Sequence, residues 1–171
     1  MPNYPPSTIA RIGDINRGLI VETGSLAYTY FLGAANTQTE LFNIKGRILL
    51  KYLFMEILTA FDANAVQLAF NVTFTSPVIA VNPLCVKCAA LTSGVAGLRA
   101  WHIGGAVGTT MVITDSAGVS DIAVIPQMLG GKDFVGTLGM LASDASIGEG
   151  TGQVVLAYVP MSDGAYVEAR L

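Results

Sequence analysis

The sequence predicts an all-β fold, an antiparallel β-sandwich of jelly-roll-like form that follows an extended N-terminal arm. Three observations predict it. Short apolar runs recur between turns rich in Gly, Asn, Asp and Ser. The clearest run, Val66 to Phe74, alternates apolar and polar side chains with period two. Charge is scarce as well: 12% of the 171 residues are charged and 52% are apolar, against roughly 25% charged in an ordinary soluble domain. A chain of this length can bury one substantial core, so the expected division is an arm over 1–36 and one β-sandwich domain over 37–171.

The first block, Met1 to about Asn36, contains Pro2, Pro5 and Pro6, then the turn-like pairs Gly13-Asp14 and Arg17-Gly18. Proline fixes its own φ and biases the preceding residue toward extended geometry. An irregular arm is therefore expected, with at most a short strand at Gly18 to Val21. Leu26 to Phe31 is apolar and aromatic enough to dock, either on a neighbour or on its own domain.

Glu40 to Phe61 has no clean period. As a helix, Ile48, Leu49, Tyr52, Leu53, Glu56, Ile57 and Ala60 form a stripe, and Leu, Met, Glu and Lys favour helix. As extended chain, Ile48, Leu50, Tyr52, Phe54, Glu56 and Leu58 oppose Leu49, Lys51, Leu53, Met55, Ile57 and Thr59. The residues alone leave both readings open.

After a turn at Asp62-Ala63-Asn64, Val66, Leu68, Phe70, Val72 and Phe74 share one side of a strand, with Gln67, Ala69, Asn71 and Thr73 on the other. Val78 to Val81 reads as a short strand closed by Asn82-Pro83. Leu84 to Ala90 reads as a strand or a turn-like passage. Further strands are expected at Leu98 to Ile103, Thr109 to Thr114, Asp121 to Ile125 and Gln153 to Val159, with a weaker one at Tyr166 to Ala169. Gly104-Gly105, Gly130-Gly131 and Gly148 to Gly152 separate them as turns, where glycine permits left-handed backbone.

Charge bounds the function. Ala63 to Leu98 holds a single charged side chain, Lys87, and the formal net charge is −3 with no basic run. Binding of nucleic acid by counterion release needs a concentrated positive face, so no direct nucleic-acid partner is expected. The start of the chain, Met-Pro-Asn-Tyr-Pro-Pro, is neither basic nor followed by an apolar core, unlike a signal peptide. Ile48 to Phe61 is too short for a spanning helix and contains Lys51 and Glu56, so no membrane partner is expected. Asn71-Val72-Thr73 matches the glycosylation acceptor pattern, which carries weight only in a secreted protein. Sparse charge implies instead that protein neighbours cover much of the surface.

The residues do not assemble into a catalytic constellation, and no catalytic, cofactor-binding or metal-binding residue is assigned. His102 is the only histidine, and Asp115, Asp121 and several serines complete a triad only on paper. Cys85 and Cys88 have the spacing of a redox pair or half a zinc knuckle, but a structural zinc site needs four ligands. Free, buried thiols are the expected state, with a disulfide or an intersubunit metal as the alternatives. Asp133, Asp144 and Glu149 lack the dense oxygen-ligand loop of a calcium site. Gly130-Gly131-Lys132 is followed by Asp133, where a phosphate loop would have Ser or Thr. Tyr28, Tyr30, Tyr52, Trp101 and Tyr158 are the aromatic residues from which a carbohydrate platform would be built. Lys45, Arg47 and Lys51 cluster before the apolar core segment, with Glu40, Asp62 or a neighbour's carboxylate as candidate partners.

Two stretches carry a resemblance. Thr37-Gln38-Thr39-Glu40-Leu41-Phe42-Asn43-Ile44-Lys45-Gly46-Arg47-Ile48-Leu49-Leu50-Lys51 is similar to the opening of small virion structural proteins of tailed bacteriophages, in which a Leu-Phe strand, a glycine and a second β run follow a variable arm. Val154-Val155-Leu156-Ala157-Tyr158-Val159-Pro160-Met161-Ser162-Asp163-Gly164-Ala165 resembles the same group's final strand, Tyr-Val-Pro and closing Asp-Gly turn. The resemblance implies two strands broken near Lys45-Gly46, the second running toward Phe61. It also implies a capsid decoration, or cement, protein on the outer surface of the virion. In that role a homo-oligomer, a trimer by expectation, clamps neighbouring major capsid subunits without enzymatic activity or cofactor. A tail, neck or fibre-associated β protein of the virion is the nearest alternative, and a carbohydrate-binding module the alternative of a different class.

Overall fold

The computed structural model describes residues 18–27, 38–61, 67–88, 95–104, 109–114, 124–142 and 149–170. Two antiparallel sheets pack against each other. Twelve strands form them among the described residues: β1 Leu19–Glu22, β2 Leu26–Ala27, β3 Gln38–Lys45, β4 Ile48–Thr59, β5 Leu68–Ser76, β6 Val78–Pro83, β7 Arg99–His102, β8 Val112–Thr114, β9 Gln127–Leu129, β10 Val135–Ala142, β11 Thr151–Pro160 and β12 Tyr166–Ala169. Sheet A runs β1-β11-β4-β7-β8, with β2 also paired to β11 and β9 to β4; sheet B runs β12-β3-β10-β5-β6. The expected sandwich is therefore present. Of the leading segment, Leu19–Glu22 and Leu26–Ala27 belong to sheet A, and residues 1–17 and 28–37 lie outside the described residues.

Glu40 to Phe61 is two strands, and the break between them is built by a glycine. Gly46 has φ +76°, and a Cβ there would lie 2.8 Å from Ser162 Oγ and from Ala165 Cβ. Its N–H donates to Phe134 O at 2.7 Å, while Arg47 N–H donates to Ser162 Oγ at 2.9 Å. The chain thus passes from sheet B to sheet A through a corner too tight for any side chain at 46.

The mixed period of β4 has an equally local cause. Its pairing with β11 shifts so that Ala157 faces Tyr52 and Tyr158 faces Leu50, which leaves Lys51 as the extra residue. A bulge of this kind reverses the phase of the side chains beyond it. Ile48 and Leu50 enter the core before it, and Leu53, Met55 and Ile57 after it.

Inward residues of both sheets make one core. Phe42, Ile44, Phe70, Leu138 and Met140 from sheet B meet Leu53, Met55, Val154 and Leu156 from sheet A. Each such side chain contributes about 1.5–3 kcal/mol by leaving water.

Of the strand expected at Asp121 to Ile125, residues 121–123 lie outside the described residues and 124–125 are not in a strand; β9 follows Pro126. Central strand β10 has no counterpart in the sequence reading because Gly136 and Gly139 interrupt its apolar pattern. A Cβ at Gly136 would lie 2.2 Å from Thr73 O, and one at Gly139 would lie 2.4 Å from Thr39 O. The glycines stand where both neighbours carry an extra residue, Leu41 of β3 beside Gly139 and Thr75 of β5 beside Gly136.

Candidate functional site

The core-facing positions of sheet A fix which side chains its other face presents. Because strand residues alternate, Tyr52, Phe54 and Glu56 of β4 point outward, together with Gln153, Val155 and Ala157 of β11 and Arg99 and Trp101 of β7. The register sets them in transverse rows. One row runs Glu22, Val155, Phe54, Trp101, Val112; the next runs Gln153, Glu56, Arg99, Thr114.

Aromatic rings fill the middle of this face. Phe54 and Trp101 lie 4.3 Å apart between centroids, Tyr52 and Phe54 6.0 Å, and Tyr52 meets Trp101 edge-on at 6.5 Å. Such offset and edge contacts add about 0.5–1.5 kcal/mol per pair beyond their buried area. The Arg99 guanidinium sits over the Phe54 ring at 5.5 Å.

The Glu56 carboxylate is neutralised locally. Arg99 Nε and Nη2 both donate to Glu56 Oε1, at 3.0 and 2.8 Å, and Gln153 Nε2 donates to Glu56 Oε2 at 2.9 Å. Trp101 Nε1 donates to Thr114 Oγ1 at 3.1 Å. Burial, and secondarily the Glu22 carboxylate, holds the Tyr52 phenol above its ordinary value, so it is uncharged at neutral pH. Around this satisfied centre the apolar rim is open: Ile20 is 42% exposed, Val112 37% and Met128 50%. An apolar surface with an aromatic centre and a paired charge is suited to contact with another macromolecule.

The residues weighed for chemistry scatter. His102 is buried at the inward side of β7, its Nε2 bonded to Gln127 at 3.0 Å and its Nδ1 without a partner; Asp115 and Asp121 lie outside the described residues. Burial pushes the His102 imidazole below its ordinary value, against a smaller opposing effect of Gln127.

Cys85 and Cys88 are free and buried. Their sulfurs accept the N–H groups of Phe70 and Leu68 at 3.2 and 3.3 Å, standing in for strand carbonyls where β6 ends beside β5. Burial pushes the Cys85 thiol up to about 11 and raises Cys88 as well, the opposite of an activated thiol. Among the described residues no group of His, Cys, Asp or Glu is placed to hold a metal ion.

Of the five aromatic residues named for a carbohydrate platform, Tyr52 and Trp101 share the outer face of sheet A. Tyr158 is in the core, and Tyr28 and Tyr30 lie outside the described residues. Glu40 forms its ion pair with Arg170 rather than with the Lys45–Arg47–Lys51 cluster.

Sequence reasoning overlooked Phe54, Glu56, Arg99 and Gln153. Arg99 and Trp101, two residues apart in one expected strand, were the signal that a cation and an indole share a face.

No family model matches the chain, and neither a curated protein nor a solved structure matches it.

Proposed function

We propose that the chain is a structural protein that works by packing its outer sheet-A face against other subunits. Its proposed place is the outer surface of a tailed-bacteriophage head, as a decoration protein clamping neighbouring major capsid subunits as a small oligomer, a trimer by expectation. The observation that carries the contact role is the aromatic centre of that face, with its Glu56–Arg99 pair and the open apolar rim at Ile20, Val112 and Met128.

Strand order supports the finer, jelly-roll reading. Leaving β2, β8, β9 and β12 aside, the orders β1-β11-β4-β7 and β3-β10-β5-β6 remain. Along the chain these eight strands alternate between sheets except for the hairpin β5–β6, as in two nested Greek keys. Jelly rolls of this kind build viral shells and also lectins, so the topology agrees with the resemblance at Thr37 to Lys51 without choosing among functions.

The test is location and binding. Antibody-labelled electron microscopy of particles carrying this chain is expected to mark the head surface, and the purified chain is expected to bind heads that lack it. Label on tails alone would remove the decoration role, and failure to bind any virion part would remove the virion role altogether.

A second reading, carbohydrate binding, has one observation in its favour: Tyr52 and Trp101 lie 6.5 Å apart on the same face. A glycan array separates the two, since the contact role predicts no saturable sugar binding.

A further inference from the structure

The outer side of sheet B holds a different kind of feature. Leu68, Phe70, Val72 and Phe74 point into the core, so alternation along β5 sends Asn71 and Thr73 to the other face. Asn71 is nevertheless only 1% exposed, and neither its Oδ1 nor its Nδ2 has a hydrogen-bond partner. Gln38, on β3, leaves its own buried Nε2 unpaired while its Oε1 accepts from Thr73 Oγ1 at 2.9 Å.

These two amides are brought together at Gly139. That residue faces Asn71 across the β10–β5 ladder, and a Cβ on it would lie 2.7 Å from Gln38 Cγ and 2.8 Å from Gln38 Nε2. The β10–β3 ladder is broken there, with a register shift between Leu138 and Gly139. A bulge, a glycine, one unsatisfied amide and one half-satisfied amide therefore coincide in one spot.

We infer that Asn71 and Gln38 form an internal hydration site in sheet B, holding at least one ordered water between β3, β10 and β5. The chemistry selects the ligand. The unpaired groups are two amide nitrogens that donate and one oxygen that accepts, and a water molecule answers all three by accepting twice and donating once. An anion would face the Asn71 oxygen and a cation the amide hydrogens. A peptide or sugar is too large for a residue enclosed to this degree. The water would restore, between three strands, the hydrogen bonding that the bulge takes from the ladder. This inference stands apart from the proposed virion role and holds or fails on its own.

Water-to-amide cross-relaxation NMR on the labelled full-length chain tests it. The side-chain NH2 of Asn71 is expected to show a cross-peak of the sign given by a long-lived bound water. Replacement of Asn71 by Leu, close in volume, is expected to lower Tm by about 5 °C, because it removes groups that the water satisfies. Should Asn71→Leu not fold, Gln38→Met provides the same readout from the more accessible side, weakening the Asn71 cross-peak. A folded wild-type sample with no such cross-peak overturns the inference, as does an Asn71→Leu variant that melts higher than wild type.

Discussion

The two outer faces of the sandwich are built from the same strand geometry and present opposite chemistry. Sheet A turns outward a stacked Tyr52–Phe54–Trp101 centre beside the half-exposed Glu56–Arg99 ion pair, with Ile20, Val112 and Met128 exposed at its rim. Sheet B turns outward a polar lattice in which Asn43 bonds Glu168, Thr137 bonds Glu40, Thr73 bonds Gln38 and Glu40 pairs with Arg170. An antiparallel sandwich needs only one buried face per sheet, so the second face is free to record what it meets. The difference teaches that polar pairing is not spread evenly over this molecule: side-chain hydrogen bonds knit the outer face of sheet B, and stacked rings fill that of sheet A.

The largest effect is expected where central strand β10 depends on a missing side chain. Gly136→Val places a Cβ against Thr73 O, and should cost about 3 kcal/mol in urea unfolding or prevent folding. A variant of wild-type stability would mean that β10 is looser than described.

The next effect separates the faces. Under the proposed function Trp101→Ala weakens binding to the partner shell by roughly thirtyfold, the loss typical of a central aromatic anchor. The matched change on sheet B, Asn43→Ala, leaves binding within about twofold. Equal losses at both sites, measured by surface-bound heads in titration, would erase the distinction.

How far the fold was legible depended on where the pattern was undisturbed. In the strand expected at Val66 to Phe74 the alternation is plain in the sequence, and the described part, Leu68 to Phe74, is strand with Leu68, Phe70, Val72 and Phe74 inward. The β4 segment hid its period because one residue, Lys51, shifts the phase, and β10 hid altogether because close backbone contact demands Gly136 and Gly139. The outer face was legible only in fragments: Tyr52 and Trp101 attracted notice as aromatics, but their meeting across β4 and β7 is a long-range pairing that no local spacing encodes.

The core that both faces share gives a smaller, pH-dependent effect. Burial holds the His102 imidazole below its ordinary value of 6.5, so the unfolded chain takes up the proton first. Stability is full above about pH 6.5 and is lost as the pH falls from there through the folded value, with a slope of at most about 1.4 kcal/mol per pH unit. Urea unfolding of His102→Gln across pH 4.5–7.5 should show that part of the slope gone; an unchanged slope would place the imidazole in water. Smallest of all, Asn43→Ala, which removes an exposed bond to Glu168, should change stability by less than about 0.5 kcal/mol.

Hydroxyl-radical footprinting of the free chain and of the chain on its native assembly, read residue by residue, bears most directly on the contrast between the faces. Tyr166, 41% exposed on sheet B, serves as the internal reference for Tyr52, Trp101 and Met128 on sheet A. The account predicts that those three lose reactivity on assembly while Tyr166 keeps it. Protection of Tyr166 with undiminished oxidation of Trp101 and Met128 would contradict it.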